Sequence, residues 1–318
     1  MRGYAPRLRS IFLDGIPFLE LPTLLIPTSD LVELHLYNIP RIGYISPEAM
    51  VAGLAALPRL RTFHIGLQLA THRPDRIHPS PVARTTLRSL PALSDFAFMG
   101  AREYLEDLVA RIDTPHLDWV NTFYLNQVVD FQLSQLSMYI DRSVGLKLTP
   151  FKYVQVTFDN RMVTFQTHRH ANDTDPHNAT TYIYCRGIDW QVSHLAQVVS
   201  RLSATLSNVV HLKIEVKHSF QLEGTDGVEW IHLLHQSPTV QTLHVSHELA
   251  GHVALALEDV SSEAVAESLP SFDLIYVAGR PASSIDKFLA ARQLSGRAVT
   301  VIDKEGEFFD SVESYVSE

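Results

Sequence analysis

The chain has 318 residues, 46% of them hydrophobic, a single cysteine and a formal net charge of −9. That apolar fraction is ample for an extensive buried core, which excludes disorder as the default state. The acidic balance excludes the clustered cationic surface that a phosphate-backbone binder needs, so nucleic acid is not an expected partner.

An apolar-x-x-apolar-x-apolar pattern recurs along the chain, in the clearest copies with proline two residues before its first apolar position. It begins with PRLRSIFL at Pro6 and DLVELHL at Asp30. Ser46 followed by Pro47 then reads as a helix N-cap with proline at the first helical position. PRLRTFHI at Pro58 and PALSDFAF at Pro91 follow. Residues 103–112 place Tyr104, Leu105, Leu108, Val109 and Ile112 on one helical stripe, before HLDWV at His116 and FKYVQV at Phe151.

Residues 151–190 are read as containing an insertion. Strands at 152–158 and 162–167 flank the turn Asp159-Asn160, a third strand is placed at 181–185, and HRHANDTDPHN forms an exposed loop. A helix over 191–206 with Val192, Leu195, Val199, Leu202 and Leu206 on one face leads to NVVHLKI at Asn208. Thr225 is expected to cap a helix through Trp230 to Leu234, ahead of PTVQTLHV at Pro238 and PSFDLIYV at Pro270. Ser284 is expected to cap a helix through Ile285 to Leu289, and the acidic residues of 304–318 to form a terminal cap or tail.

The first apolar positions are Leu8, Leu31, Leu60, Leu93, Leu117, Phe151, Val209, Val240 and Phe272, spaced 23 to 34 residues apart except for 58 between Phe151 and Val209. Such intervals fit one strand, one crossover helix and two loops per unit. The expected fold is therefore α/β: a single leucine-rich-repeat-like solenoid, or horseshoe, over 1–318, built from about nine irregular strand–helix repeats with a β-hairpin insertion. Proline before each strand is expected to favour an extended approach through its fixed φ.

No G-x-S-x-G elbow, P-loop or strand-linked G-x-G-x-x-G is present, so the reading is non-enzymatic. HELAGH, from His247 to His252, has one residue too many for a zincin: on a helix the two imidazoles stand about 140° apart. The His168, His170 and His177 tract lacks zinc-finger spacing, and no metal or other cofactor is expected. The alternative is an uncharacterised hydrolase or metal-binding protein using Cys185 or the His168 to His177 loop. One cysteine fits a reducing compartment, cytoplasmic or nuclear, and no stretch reaches the roughly 18 apolar residues of a membrane span.

Side chains two, four and six residues after each first apolar position are expected to project from the concave face, where solenoids bind partners. The candidate partner-binding residues are His35, Tyr37, His64, Trp119, Asn121, Phe123, Tyr153, Gln155, Lys213, Glu215, His244 and Tyr276. Tyrosine and tryptophan in such a row point to a protein partner. His35 and His64 are possible neighbours on adjacent strands.

The segments SDLVELHLYNIPRIGYISPEAMVAGLAALPRLRTFHIG, EYLEDLVARIDTPHLD, CRGIDWQVSHLAQVVS, TVQTLHVSHELAGHVALALEDV and SIDKFLAARQLSGRAVTV resemble the leucine-rich-repeat region of the F-box-like proteins of basidiomycete fungi. The resemblance covers essentially the whole chain. It implies that the repeats select a protein substrate, while an F-box preceding them docks on the Skp adaptor of a cullin-RING ubiquitin ligase. The first copy begins at Pro6, so no F-box is expected within this chain and Skp is an expected partner only with an upstream one. Where standard repeats carry a ladder of asparagines, this chain has Ile16, Ile39, Gln68, Ala101 and Leu125, so irregular turns are expected.

Overall fold

All nine motif copies open a strand two residues after their first apolar position. The computed structural model describes residues 8–17, 28–68, 87–125, 133–143, 150–170, 179–185, 187–217, 227–259, 271–277, 283–294 and 298–303. By internal packing the chain divides into two units, one of Met1–Gln127 and Leu133–Thr149, the other of Val128–Gln132 and Pro150–Glu318.

In the first unit, β1 (Ser10–Asp14), β2 (Glu33–Ile39), β3 (Thr62–Leu67), β5 (Asp95–Gly100) and β7 (Trp119–Leu125) lie side by side in that order, every pair parallel. A two-stranded ladder, β4 (Arg88–Ser89) with β6 (Ile112–Asp113), stands apart from this sheet. Helices α1 (Pro47–Leu54), α2 (Arg102–Val109) and α3 (Ser134–Arg142) complete the described elements, with a 3-10 turn at Arg41–Gly43. The helix-side residues of the strands, Leu34, Leu36, Phe63, Ile65, Phe96, Phe98 and Val120, are all buried, as are Leu54, Leu105, Leu108 and Ile140 of the helices. Parallel strands with crossover helices follow from this division of apolar side chains, because each strand must bury one face against a helix layer.

The prolines do something other than extend the chain. Leu60 N–H bonds to Leu57 O, Leu93 to Leu90, Leu117 to Thr114 and Val240 to Ser237. Pro58, Pro91, Pro115 and Pro238 are thus the second residues of four β-turns, where the fixed φ of proline is already correct. The turn, not an extended approach, delivers each first apolar residue into the core. Beyond it, one carbonyl accepts two consecutive amides of the next strand: Val32 O takes Arg61 and Thr62, Arg61 O takes Ser94 and Asp95, and Val210 O takes Gln241 and Thr242. The repeat is therefore written in the main chain as well as the side chains.

Helix ends are satisfied partly by neighbours. Ser46 Oγ accepts from Ala49 N–H with Pro47 at the first position of α1, as expected. The N-terminus of α3 has no side-chain cap of its own. Instead the Glu106 carboxylate of α2 accepts from Gln135 and Leu136 N–H at 2.8 and 3.0 Å, although burial raises its pKa. In return Arg142 of α3 donates to Val109 O at the end of α2, at 3.1 Å. The pair exploits both poles of the helix dipole.

In the second unit the sheet order is β10 (Ala179–Tyr184), β9 (Met162–His168), β8 (Tyr153–Phe158), β11 (His211–Val216), β12 (Thr242–Val245), β13 (Leu274–Val277) and β14 (Thr300–Asp303). The first three form antiparallel hairpins and the rest are parallel. The β8–β9 turn closes with Asp159 N–H on Met162 O, as the Asp159-Asn160 signal implies. Helices α4 (Ile188–Arg201), α5 (Gly227–His235), α6 (His247–Asp259) and α7 (Ser283–Leu294) are the connecting elements.

Several boundaries differ from expectation. Helix α2 stops at Val109, and Ile112 belongs to β6; α4 starts three residues early and ends at Arg201, with Leu202 and Leu206 buried in turns beyond it. Ser284 lies inside α7 rather than ahead of it. Thr225, His177 and residues 304–318 fall outside the described residues, as does most of the 168–178 loop. Helix α3 and strand β14 were not foreseen.

Candidate functional site

The in-register ladder sorts the side chains opposite the helices of the first unit into rows. Ser10, Glu33, Thr62, Asp95 and Trp119 form one row, and Phe12, His35, His64, Ala97 and Asn121 the next. Beyond these lie Asp14 beside Tyr37 on β1 and β2, and Met99 beside Phe123 on β5 and β7. This face is only half-buried, and Phe12 on β1 is 64% exposed.

A bulge shapes its centre. Between Leu36↔Ile65 and Ile39↔Leu67, β2 spends two residues, Tyr37 and Asn38, against the single Gly66 of β3. Asn38 takes φ 50°, a left-handed conformation that asparagine tolerates, and its Nδ2 donates to Asp14 Oδ1 at 2.7 Å. A Cβ on Gly66 would stand 3.1 Å from Met99 Cε, so glycine suits the residue facing the bulge.

With the bulge in place, the Tyr37 hydroxyl lies 2.8 Å from His64 Nδ1 and 3.5 Å from His35 Nδ1. The two Nδ1 atoms are 3.1 Å apart, and His64 Nε2 is 2.9 Å from Asp95 Oδ1. The His64 ring thus bridges Asp95 through Nε2 and Tyr37 through Nδ1, with His35 Nδ1 also facing its Nδ1. Burial and then His64 lower the pKa of His35, and burial followed by Asp95 raises that of Tyr37. Phe12 flanks the cluster at 5.3 Å from the Tyr37 ring, and Trp119 lies 5.8 Å from the His64 ring.

His35, Tyr37, His64 and Trp119 are thus brought together, with Asn121 and Phe123 on the same face. The predicted set lacks Phe12, Asp14 and Asp95. Counting two, four and six residues onward from Leu8 and Leu93 would have found all three.

The corresponding face of the second unit behaves differently. Tyr153 stacks on His211 at 4.5 Å and 13° between planes. Glu215 accepts from Gln155 and from Thr157 and pairs with Lys213 at 2.8 Å. His244 and Tyr276, expected to be exposed, are 8% and 2% accessible. For Tyr276 the reason is β14: it sets Ile302 beside Tyr276, which Tyr153 and Leu274 also cover. On β12 and β13 Thr242, His244 and Tyr276 are buried, while Tyr153, Gln155, Lys213 and Glu215 stay half-buried.

Burial holds His211 and His244 down to about 4, helped by Lys152 and Lys213 respectively, with Glu215 opposing at His244. Both stay neutral when folded, whereas the unfolded chain takes up their protons below the ordinary value of 6.5. Stability is therefore fully present above that value and is lost as pH falls towards 4. The melting temperature should drop over this window, and the double variant His211→Gln with His244→Gln should show a flatter profile. Parallel profiles for the two proteins would refute the assignment.

Cys185 is half-buried, and burial pushes its thiol up to about 12, so almost no thiolate is present at neutral pH. Among the described residues no group of three or more His, Cys, Asp or Glu is placed to hold a metal ion, and no helix is long and apolar enough to cross a membrane. HELAGH lies on α6.

No family model matches the chain, and no curated protein matches it. Among solved structures it is similar to the leucine-rich repeat-containing protein LegL7 from Legionella pneumophila, at 13% identity over 93% of each chain with a TM-score of 0.26.

Proposed function

We propose that the chain is a non-enzymatic protein-binding scaffold, the substrate-recognition part of an F-box-type ubiquitin-ligase receptor, acting in the cytoplasm or nucleus. In this reading the strand–helix repeats present the binding face, and a linked F-box joins the chain to the Skp adaptor. The observation that supports it best is the half-exposed face of the first unit, where Phe12, His35, Tyr37, His64 and Trp119 gather on β1, β2, β3 and β7. Rigid aromatic side chains held by a sheet lose little entropy on binding, which makes such a row an efficient contact surface. The protonated thiol of Cys185 counts against the hydrolase alternative.

Binders selected on the purified chain from a random-peptide display library provide the test. Replacing Phe12 and Trp119 by alanine should weaken them by about tenfold or more, the scale of losing central hot-spot residues. Replacing Trp190 on α4 and Leu255 on α6, which are 55% and 53% exposed, should leave them unchanged. Binders that follow the helix residues instead would place recognition elsewhere.

A further inference from the structure

We infer that the face of the first unit takes a basic, extended segment of its partner, with arginine or lysine side chains held by its aromatic rings and carboxylates; this rests on the binding role proposed above. The face positions of β1, β2, β3, β5 and β7 include three carboxylates, Asp14, Glu33 and Asp95, and not one lysine or arginine. Asp14 is bonded to the neutral amide of Asn38, and Asp95 to an imidazole nitrogen. The second unit differs on this point, since Lys213 there pairs with Glu215. Negative potential is thus left uncompensated by Lys or Arg on the face of one unit and compensated on that of the other.

Two of the three carboxylates are next to a ring. Asp95 is paired in register with Trp119, and Asp14 with Tyr37, while Phe12 lies 5.3 Å from the Tyr37 ring. A guanidinium over an aromatic face, within about 6 Å of its centroid, gains from both the ring and a nearby carboxylate. Two such positions result, one at Phe12 and Tyr37 and the other at Trp119. From β1 to β7 there are four strand spacings. At about 4.8 Å each they span about 19 Å, which an extended peptide covers in about six residues. The preferred segment therefore carries two basic residues about six positions apart.

The test uses the full chain and a fluorescein-labelled, twelve-residue Gly/Ser peptide with two arginines six positions apart, read by fluorescence anisotropy. Binding should be saturable, and the same peptide with glutamates in place of the arginines should not bind. Asp14→Asn with Asp95→Asn should weaken the arginine peptide by about tenfold, as loss of the carboxylate beside each ring site implies. Phe12→Ala with Trp119→Ala should do the same while leaving all the carboxylates. Asp189→Asn with Glu248→Gln removes two exposed charges from α4 and α6 and serves as the control for net charge. Equal weakening by the control pair would mean general attraction to an acidic protein and overturns the inference. So does failure of the arginine peptide to bind while library-selected binders still depend on Phe12 and Trp119, an outcome that spares the scaffold reading. If neither kind of ligand depends on those residues, both are wrong.

Discussion

Phe96→Ala should reduce the free energy of unfolding by about 3–5 kcal/mol, the usual cost of emptying a large aromatic site in a core. Phe96 is completely buried on the interior strand β5, stacked against Phe63 at 5.9 Å and met edge-on by Tyr139 of α3 at 6.0 Å. Neighbouring strands flank it in register, with Phe63 on one side and Val120 on the other, so the surroundings have little freedom to collapse into the gap. Urea unfolding followed by circular dichroism measures the loss. Phe96→Leu keeps most of the volume and should cost distinctly less; equal costs for the two would mean that the cavity is not what matters.

Gln191→Met should cost about 1–3 kcal/mol although it keeps the side chain's size, because it strands buried acceptors. Gln191 is fully buried in the first turn of α4, and its Nε2 donates to Asp159 O at 2.7 Å and Cys185 O at 3.0 Å. Those carbonyls belong to the β8–β9 turn and to the end of β10, so a single amide ties both hairpins to the helix that follows them. Loss of protection of the Met162 to Tyr184 amides in hydrogen exchange, ahead of global unfolding, would locate the effect at this tie. An unchanged midpoint in urea would show that the carbonyls find water at no cost.

The strand starts were legible because two independent signals coincide at them: period-two alternation, and a turn whose second residue is often proline. What spacing alone does not convey is which side chains meet. The 29 residues between Leu31 and Leu60 say nothing of the Tyr37–Asn38 bulge, yet that bulge accompanies the approach of the Tyr37 hydroxyl to His64. Helix α3 escaped notice because its first turn is capped from outside, by Glu106 of α2, so no local N-cap marks its start. Strand β14 has no proline turn signal before it, and without it Tyr276 reads as a residue exposed on the concave face. Phe12, Asp14 and Asp95 belong to the copies at Leu8 and Leu93, and the same two, four and six spacing that gives the other face residues reaches them.

The alternation along β1 to β7 has an evolutionary corollary. Residues such as Leu34, Phe63 and Phe96 carry the folding energy, while His35, His64 and Asp95 sit one position away with their side chains on the other side of the sheet. Substitutions in the second group leave the first untouched, so new specificities can be sampled with small penalties to foldability. On the binding role proposed above, a lineage duplicating such a gene would diversify its partners by changing those alternate positions alone.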